Sequence, residues 1–130
     1  RTRLIVQVRG GSAVIPAEPR FTNRIHRDDA AAAIVHLCTM SPVPAPVYLG
    51  VDNEPAELGD VLRFLAAELG LRQPPSGASG SGIQAGGEPS RGGNKRCSNA
   101  LLRGTGFEFA YPSFREGYRD ILAGVGVRYP

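Results

Sequence analysis

Apolar residues along this chain come in short runs broken by glycine, proline and acid, and the spacing inside each run predicts its element. The most regular run is Leu58, Val61, Leu62, Leu65 and Leu69, which recur at the spacing of one helix face. Gly70 then stands where a helix commonly ends on positive φ. A second helix is expected over residues 29–39: Asp28 and Asp29 lead into four alanines, then Ile34, Val35 and Leu37. Acids there satisfy free N–H groups and complement the helix dipole. A third begins at the capping box Ser113-x-x-Glu116, after which Phe114, Tyr118, Ile121 and Leu122 share a face. Between them, Ser98 caps a short helical turn that Gly104 ends.

The remaining apolar runs are shorter. Val47-Tyr48-Leu49-Gly50-Val51, after three spaced prolines, has the β-branched and aromatic content of a buried strand, and Asp52-Asn53-Glu54-Pro55 closes it as a turn. Residues 13–15 precede Pro16 and read as a short extended piece, because a residue before proline is pushed away from the helical region. Residues 21–26 form a second extended stretch, and residues 4–8 are too few to separate helix from strand. From 73 to 93 the chain is Pro, Gly and Ser with only Ile83 to anchor it, which predicts a mobile loop.

At 130 residues, with 42% hydrophobic and 21% charged residues, the default is one compact domain over 1–130. Gly 17 and Pro 11 are together more than a fifth of the chain and mark loops. A net charge of +3 is too small to imply a polyanion unless the basic residues cluster. Cys38 and Cys97 have neither metal-site nor redox-pair spacing, and a reducing cytoplasm is expected. No apolar run approaches the roughly 20 residues of a bilayer span, so no membrane is expected among the partners.

Three segments in order resemble the C-terminal half of extended short-chain dehydrogenases/reductases, the NAD-dependent sugar epimerases and dehydratases. These are Asn23-Arg24-Ile25-His26-Arg27-Asp28-Asp29-Ala30; residues 47–71 with their Asp-Asn-Glu-Pro turn; and Asn94-Lys95-Arg96-Cys97-Ser98-Asn99 with Leu102, Gly106 and Tyr111-Pro112-Ser113-Phe114-Arg115-Glu116-Gly117. The resemblance implies an α/β fold, the C-terminal part of an NAD(P)-binding Rossmann-type protein with a small substrate-side lobe. Residues 47–51 would add to the parent's parallel sheet, and without the N-terminal half that strand and the Leu58/Leu62/Leu65 face would lack a partner. Self-association is an expected consequence.

The cofactor would be NAD or NADP in the full-length parent, with none bound tightly by this segment. A Rossmann site needs glycines at a strand-to-helix turn, and Gly77-x-x-Gly80-x-Gly82 has neither a strand before it nor an apolar helix after it. The family's Tyr-x-x-x-Lys pair is also absent: Lys95 is the only lysine, and no tyrosine precedes it by four. The segment alone is therefore expected to be inactive.

Candidate site residues are weighed against structural roles. His26 is favoured as a structural histidine over a general base, and Asp28 with Asp29 as helix caps over paired acid/base carboxylates. Arg20, Arg24 and Arg27 could hold a substrate phosphate through charge-assisted hydrogen bonds, or simply be solvated. Nucleotide-sugar epimerases carry a diphosphate-binding arginine four residues before the histidine, where Thr22 stands here, which counts against a nucleotide sugar. Ala13 and Ile15 match the short strand that lines the base in those enzymes, or belong to the core. Arg91, Lys95 and Arg96 at the end of the loop form a second anion contact or a charged rim. The expected substrate is thus a small polar, sugar-like or phosphorylated molecule. Two other readings stand beside it: a non-catalytic cofactor-sensing or protein-binding module on the same fold, and a basic nucleic-acid-binding domain using residues 91–103, which predicts salt-dependent binding.

Overall fold

The computed structural model describes residues 2–42, 45–77 and 94–124. In chain order the elements are α1 (Arg3–Arg9), β1 (Phe21–Thr22), α2 (Arg27–Thr39), β2 (Ala56–Glu57), α3 (Leu58–Glu68), α4 (Ala100–Gly104) and α5 (Phe114–Leu122). Among the described residues the fold is therefore mixed α/β, with five helices and one two-stranded sheet. The chain folds as two units, Arg1–Thr22 with Ala56–Lys95 and Asn23–Pro55 with Arg96–Pro130.

In the first unit, residues 4–8 prove helical, and α1 packs its buried Ile5 and Val8 against α3. The α3 face is Val61, Leu62, Leu65 and Ala66, all at most 3% exposed. This corrects the expectation that the Leu58/Leu62/Leu65 face lacks cover: α1, on the far side of the sequence, supplies it. Helix α3 ends as its sequence predicts, Gly70 taking φ 65 while its N–H donates to Ala67 O and that of Leu71 to Ala66 O. The antiparallel pair β1–β2 aligns Phe21 with Glu57 and Thr22 with Ala56, and the Thr22 hydroxyl donates to Ala56 O at 3.0 Å. Ile15 lies in an isolated bridge to Ser76, its N–H donating to Pro75 O and its carbonyl accepting from Gly77 N–H. These bonds tie down residues 75–77 of the expected loop; residues 78–93 lie outside the described residues.

In the second unit, Ala33, Leu102 and Phe107 are buried together, with Leu37, Tyr48 and Phe109 packed against them. Phe109 meets Phe107 edge-on at 5.0 Å. Of the extended stretches expected from sequence, one is cut short and one joins no sheet. Only Phe21–Thr22 of residues 21–26 pairs, and residues 47–51 join no sheet, with Val47 69% and Leu49 50% exposed. No parallel sheet exists among the described residues. A β-branched run becomes a strand only where a neighbour completes its hydrogen bonds, and among the described residues none does so here.

Candidate functional site

In the second unit, polar side chains gather where the turn after residue 51, the Asn23–His26 segment and the start of α5 meet. Asp52 N–H donates to Arg24 O at 2.6 Å, and Asn53 N–H donates to Pro112 O at 3.0 Å. Asn99, 6% exposed, donates to Val51 O and to Asn53 Oδ1. These bonds fix the Asp-Asn-Glu-Pro turn. They place two arginines on one ring: the guanidinium carbons of Arg24 and Arg115 lie 5.6 and 4.4 Å from the Phe114 centroid. Arg115 donates to Glu54 Oε2 at 2.6 Å.

The electrostatics follow from burial. Desolvation lowers the Arg24 pKa from its ordinary value, against the raising influence of Tyr118, Asp52 and Glu54. Burial likewise raises the Tyr118 hydroxyl, which Arg24 partly offsets. Asp52, 3% exposed, is pushed from 3.8 to about 6, first by burial and in spite of the Glu54 N–H that its Oδ1 accepts and the Arg24 charge. Chemically this is a charge-balanced anchor: two cations, two carboxylates and a ring that holds the cations in place.

Asp52 makes stability depend on pH in a stated direction. Between pH 3.8 and about 6 the folded chain holds the Asp52 proton more tightly than the unfolded one. Raising the pH through that window therefore costs stability, full below 3.8 and lost above about 6. The expected contribution is roughly 1 to 2 kcal/mol after solvent screening. Asp52→Asn should flatten that part of the stability curve, read by urea unfolding at several pH values. An Asp52→Asn curve as steep as the wild type would refute the assignment.

A second cluster surrounds His26. Its Nδ1 accepts from Asp28 N–H and so caps α2, which places the neutral ring's proton on Nε2, 3.3 Å from Asp120 Oδ2. The ring lies against Tyr111, centroids 3.8 Å apart with the planes tilted by 35°, and α5 approaches it at Gly117, where an added Cβ would lie 3.6 Å from His26 Cδ2. The Tyr111 hydroxyl is raised by desolvation and by the Asp120 carboxylate it donates to. His26 is thus packed into the fold as a cap. The capping expected of the paired acids falls to it instead, while Asp29, 2% exposed, accepts from the N–H groups of Ala110 and Tyr111, both at 2.9 Å.

The candidate site residues divide between the units. Ala13 and Ile15 are core residues of the first, 5% and 6% exposed. Arg20 and Thr22 lie half-buried in the same unit and Lys95 is exposed there. Arg24, half-buried, and Arg96, exposed, belong to the second unit. Arg91 lies outside the described residues. Sequence reasoning missed three asparagines that position these segments. Asn94 accepts from Phe21 N–H and donates to Pro19 O, Asn23 accepts from Cys97 N–H, and Asn99 holds the turn. Their signal was available: each stands at an edge of a quoted motif, where a side-chain amide can serve backbone donor and acceptor together.

Every described helix of eight or more residues carries acid in its first turn, Asp28 and Asp29 in α2, Asp60 in α3 and Glu116 in α5, where the helix dipole favours negative charge. Strand β2 does run directly into α3, but the space left by Gly59 is filled, with Ile15 Cγ2 3.0 Å from where a Cβ would stand. No group of three or more His, Cys, Asp or Glu among the described residues is placed to hold a metal, and no described helix is long and apolar enough to cross a membrane.

No family model and no curated protein matches the chain. Solved structures do. A functionally unknown conserved protein from Silicibacter pomeroyi DSS is 25% identical with a TM-score of 0.78, over 92% of this chain and 43% of its own. The chain is also similar, at 37% identity and a TM-score of 0.74 over 96% of its length, to 42% of a protein of Methylobacillus flagellatus described as an NAD-dependent epimerase/dehydratase.

Proposed function

We propose that this chain is the substrate-side part of an NAD(P)-dependent epimerase/dehydratase or reductase of the extended short-chain dehydrogenase type, acting on a small polar, sugar-like substrate. The observation that carries the reading is the 37% identity that extends over 96% of the chain yet spans only 42% of the relative. Cofactor and chemistry then belong to the remaining portion, because every described helix of eight or more residues starts on acid and the sequence has no Tyr-x-x-x-Lys. When bound there, the nicotinamide would supply hydride transfer. This chain's part is to bind and orient the substrate, for which Arg20, Thr22, Lys95, Arg24, Arg91 and Arg96 are the polar candidates; Ala13 and Ile15 would support the first unit from its core.

Calorimetry tests this directly. The 130 residues alone should show no micromolar affinity for NAD+ or NADP+. Joined in one polypeptide to the part of the Methylobacillus relative for which this chain has no counterpart, they should gain it. Micromolar binding by the chain alone, or none by the joined protein, would overturn the reading.

A further inference from the structure

The chain's two histidines, His26 and His36, stand at opposite ends of α2, and their ring nitrogens are committed differently. The His26 side chain is 5% exposed. Its one lone pair, on Nδ1, is taken by the Asp28 N–H at 3.3 Å, and its Nε2 lies 3.3 Å from Asp120 Oδ2 of α5. A second proton can enter only at Nδ1, where it turns the acceptor of that bond into a donor facing another donor. His36 has no such conflict. Its Nε2 lies 2.8 Å from Thr105 Oγ1, whose own proton goes to Leu102 O at 2.6 Å, so Nε2 donates and the lone pair falls on Nδ1. Among the described residues nothing bonds to that nitrogen, so charging His36 breaks no hydrogen bond, and the last turn of a helix favours the cation.

We propose that His26 is a proton-operated latch: neutral, its ring joins the start of α2 to α5; charged, it keeps Asp120 and releases the first turn of α2. The titratable and charged groups around the ring decide which contact survives. From α2 come Asp28, whose carboxylate holds Arg27 Nε at 3.0 Å, and Asp29; from the segment before α5 comes Tyr111; from α5 comes Asp120, which also accepts from the Tyr111 hydroxyl. The Asp120 side chain is only 12% exposed. A charged ring gains a buried ion pair there and loses one neutral cap, and the ion pair is the costlier of the two to break. The ring therefore stays with α5, and the start of α2 lets go. That turn carries Asp29, which holds the N–H groups of Ala110 and Tyr111, and it follows directly on the segment of Arg24. Pro112, next after Tyr111, accepts from Asn53 N–H. Acidification thus slackens the two segments that bring Arg24 and Phe114 together.

Hydrogen exchange followed by NMR on the 130-residue chain tests the latch, in an Asp52→Asn background so that the carboxyl pushed to about 6 is silent. At about pH 8 the His26 ring should show the nitrogen shifts of the Nε2–H tautomer, and it should charge on the way to about pH 5, the span in which histidines titrate. In step with it, protection of the Ala30, Ala110 and Tyr111 amides, corrected for intrinsic rates, should fall roughly fivefold or more, the scale of one lost cap. Val61 and Leu65 of the first unit should keep their protection. His36→Gln, which retains a donor and cannot titrate, should leave the fall unaltered. His26→Asn retains a capping oxygen and cannot titrate either, so its protection should be level at both ends of the range. If that variant does not fold, the match between the His26 ring and the three amides decides alone. An Nδ1–H tautomer at the alkaline end, a ring still neutral at the acid end, a ring that charges with the three protections unchanged, or the same loss in His26→Asn would each overturn the latch.

Discussion

Asp29→Ala should destabilise the second unit by about 2 to 4 kcal/mol, among the largest losses available to a single polar substitution here. Asp29 is 2% exposed, and its two oxygens each accept one backbone N–H, from Ala110 and Tyr111. Alanine leaves both donors without their acceptor and removes a negative charge from the first turn of α2, where the dipole favours it. Asn is no rescue: only its oxygen accepts, and its amide nitrogen would face the second N–H, so Asp29→Asn should lose at least half as much. The described tyrosines, Tyr48, Tyr111 and Tyr118, belong to the second unit, so urea unfolding followed by tyrosine emission reads the unit that matters. A loss below about 1 kcal/mol for Asp29→Ala would show that water replaces the carboxylate at little cost.

The same contact marks where the sequence stops being legible. Asp29 and its partners are 81 and 82 residues apart, and nothing in local spacing links them. Two adjacent acids before an alanine run suggest a cap, and a helix does begin there, yet the cap is the ring nitrogen of His26. Features settled within one turn were readable: the Ser113/Glu116 box, in which Ser113 N–H donates to Glu116 Oε2 and Ser113 Oγ accepts from Arg115 N–H, and the Gly70 terminus. Helix α4 starts close to expectation too, with Ser98 Oγ accepting from Ala100 N–H.

Strands were less readable because a strand is a relation between two segments. Residues 47–51 carry the composition without a described neighbour, and 21–26 pair over two residues only. The candidate anion contacts were grouped by sequence proximity, but the unit boundary falls between Thr22 and Asn23 and again between Lys95 and Arg96. Arg20 and Arg24, or Lys95 and Arg96, are near in sequence and belong to different units. What draws Arg24 into its own unit is the Phe114 ring and the nearby Asp52 and Glu54 carboxylates, from two other segments that motif reading treats separately.

Leu65→Ala should cost the first unit about 2 to 5 kcal/mol, the usual span for removing a buried leucine side chain. Leu65 is fully buried in the middle of α3, with Val61 a turn before it and Ala66 beside it equally inaccessible. The loss combines the transfer free energy of the deleted methyl and methylene groups with that of the cavity left behind, and two features push it toward the upper end. Helix α1 is only seven residues long, too short to be stable alone, so it persists through its contact with α3. Gly59 meanwhile has Ile15 at close contact, which restricts α3 from sliding to fill the hole. Alanine's higher helix propensity returns only a few tenths of a kcal/mol. Hydrogen exchange of the α3 amides reads this unit without relying on tyrosine, and protection at Val61, Leu65 and Ala66 should fall by roughly thirtyfold or more, about 2 kcal/mol at 25 °C. An unchanged exchange rate there would mean that α1 and α3 do not depend on each other, and that the exposed Leu58/Leu62/Leu65 face expected from sequence describes the molecule better than the covered one.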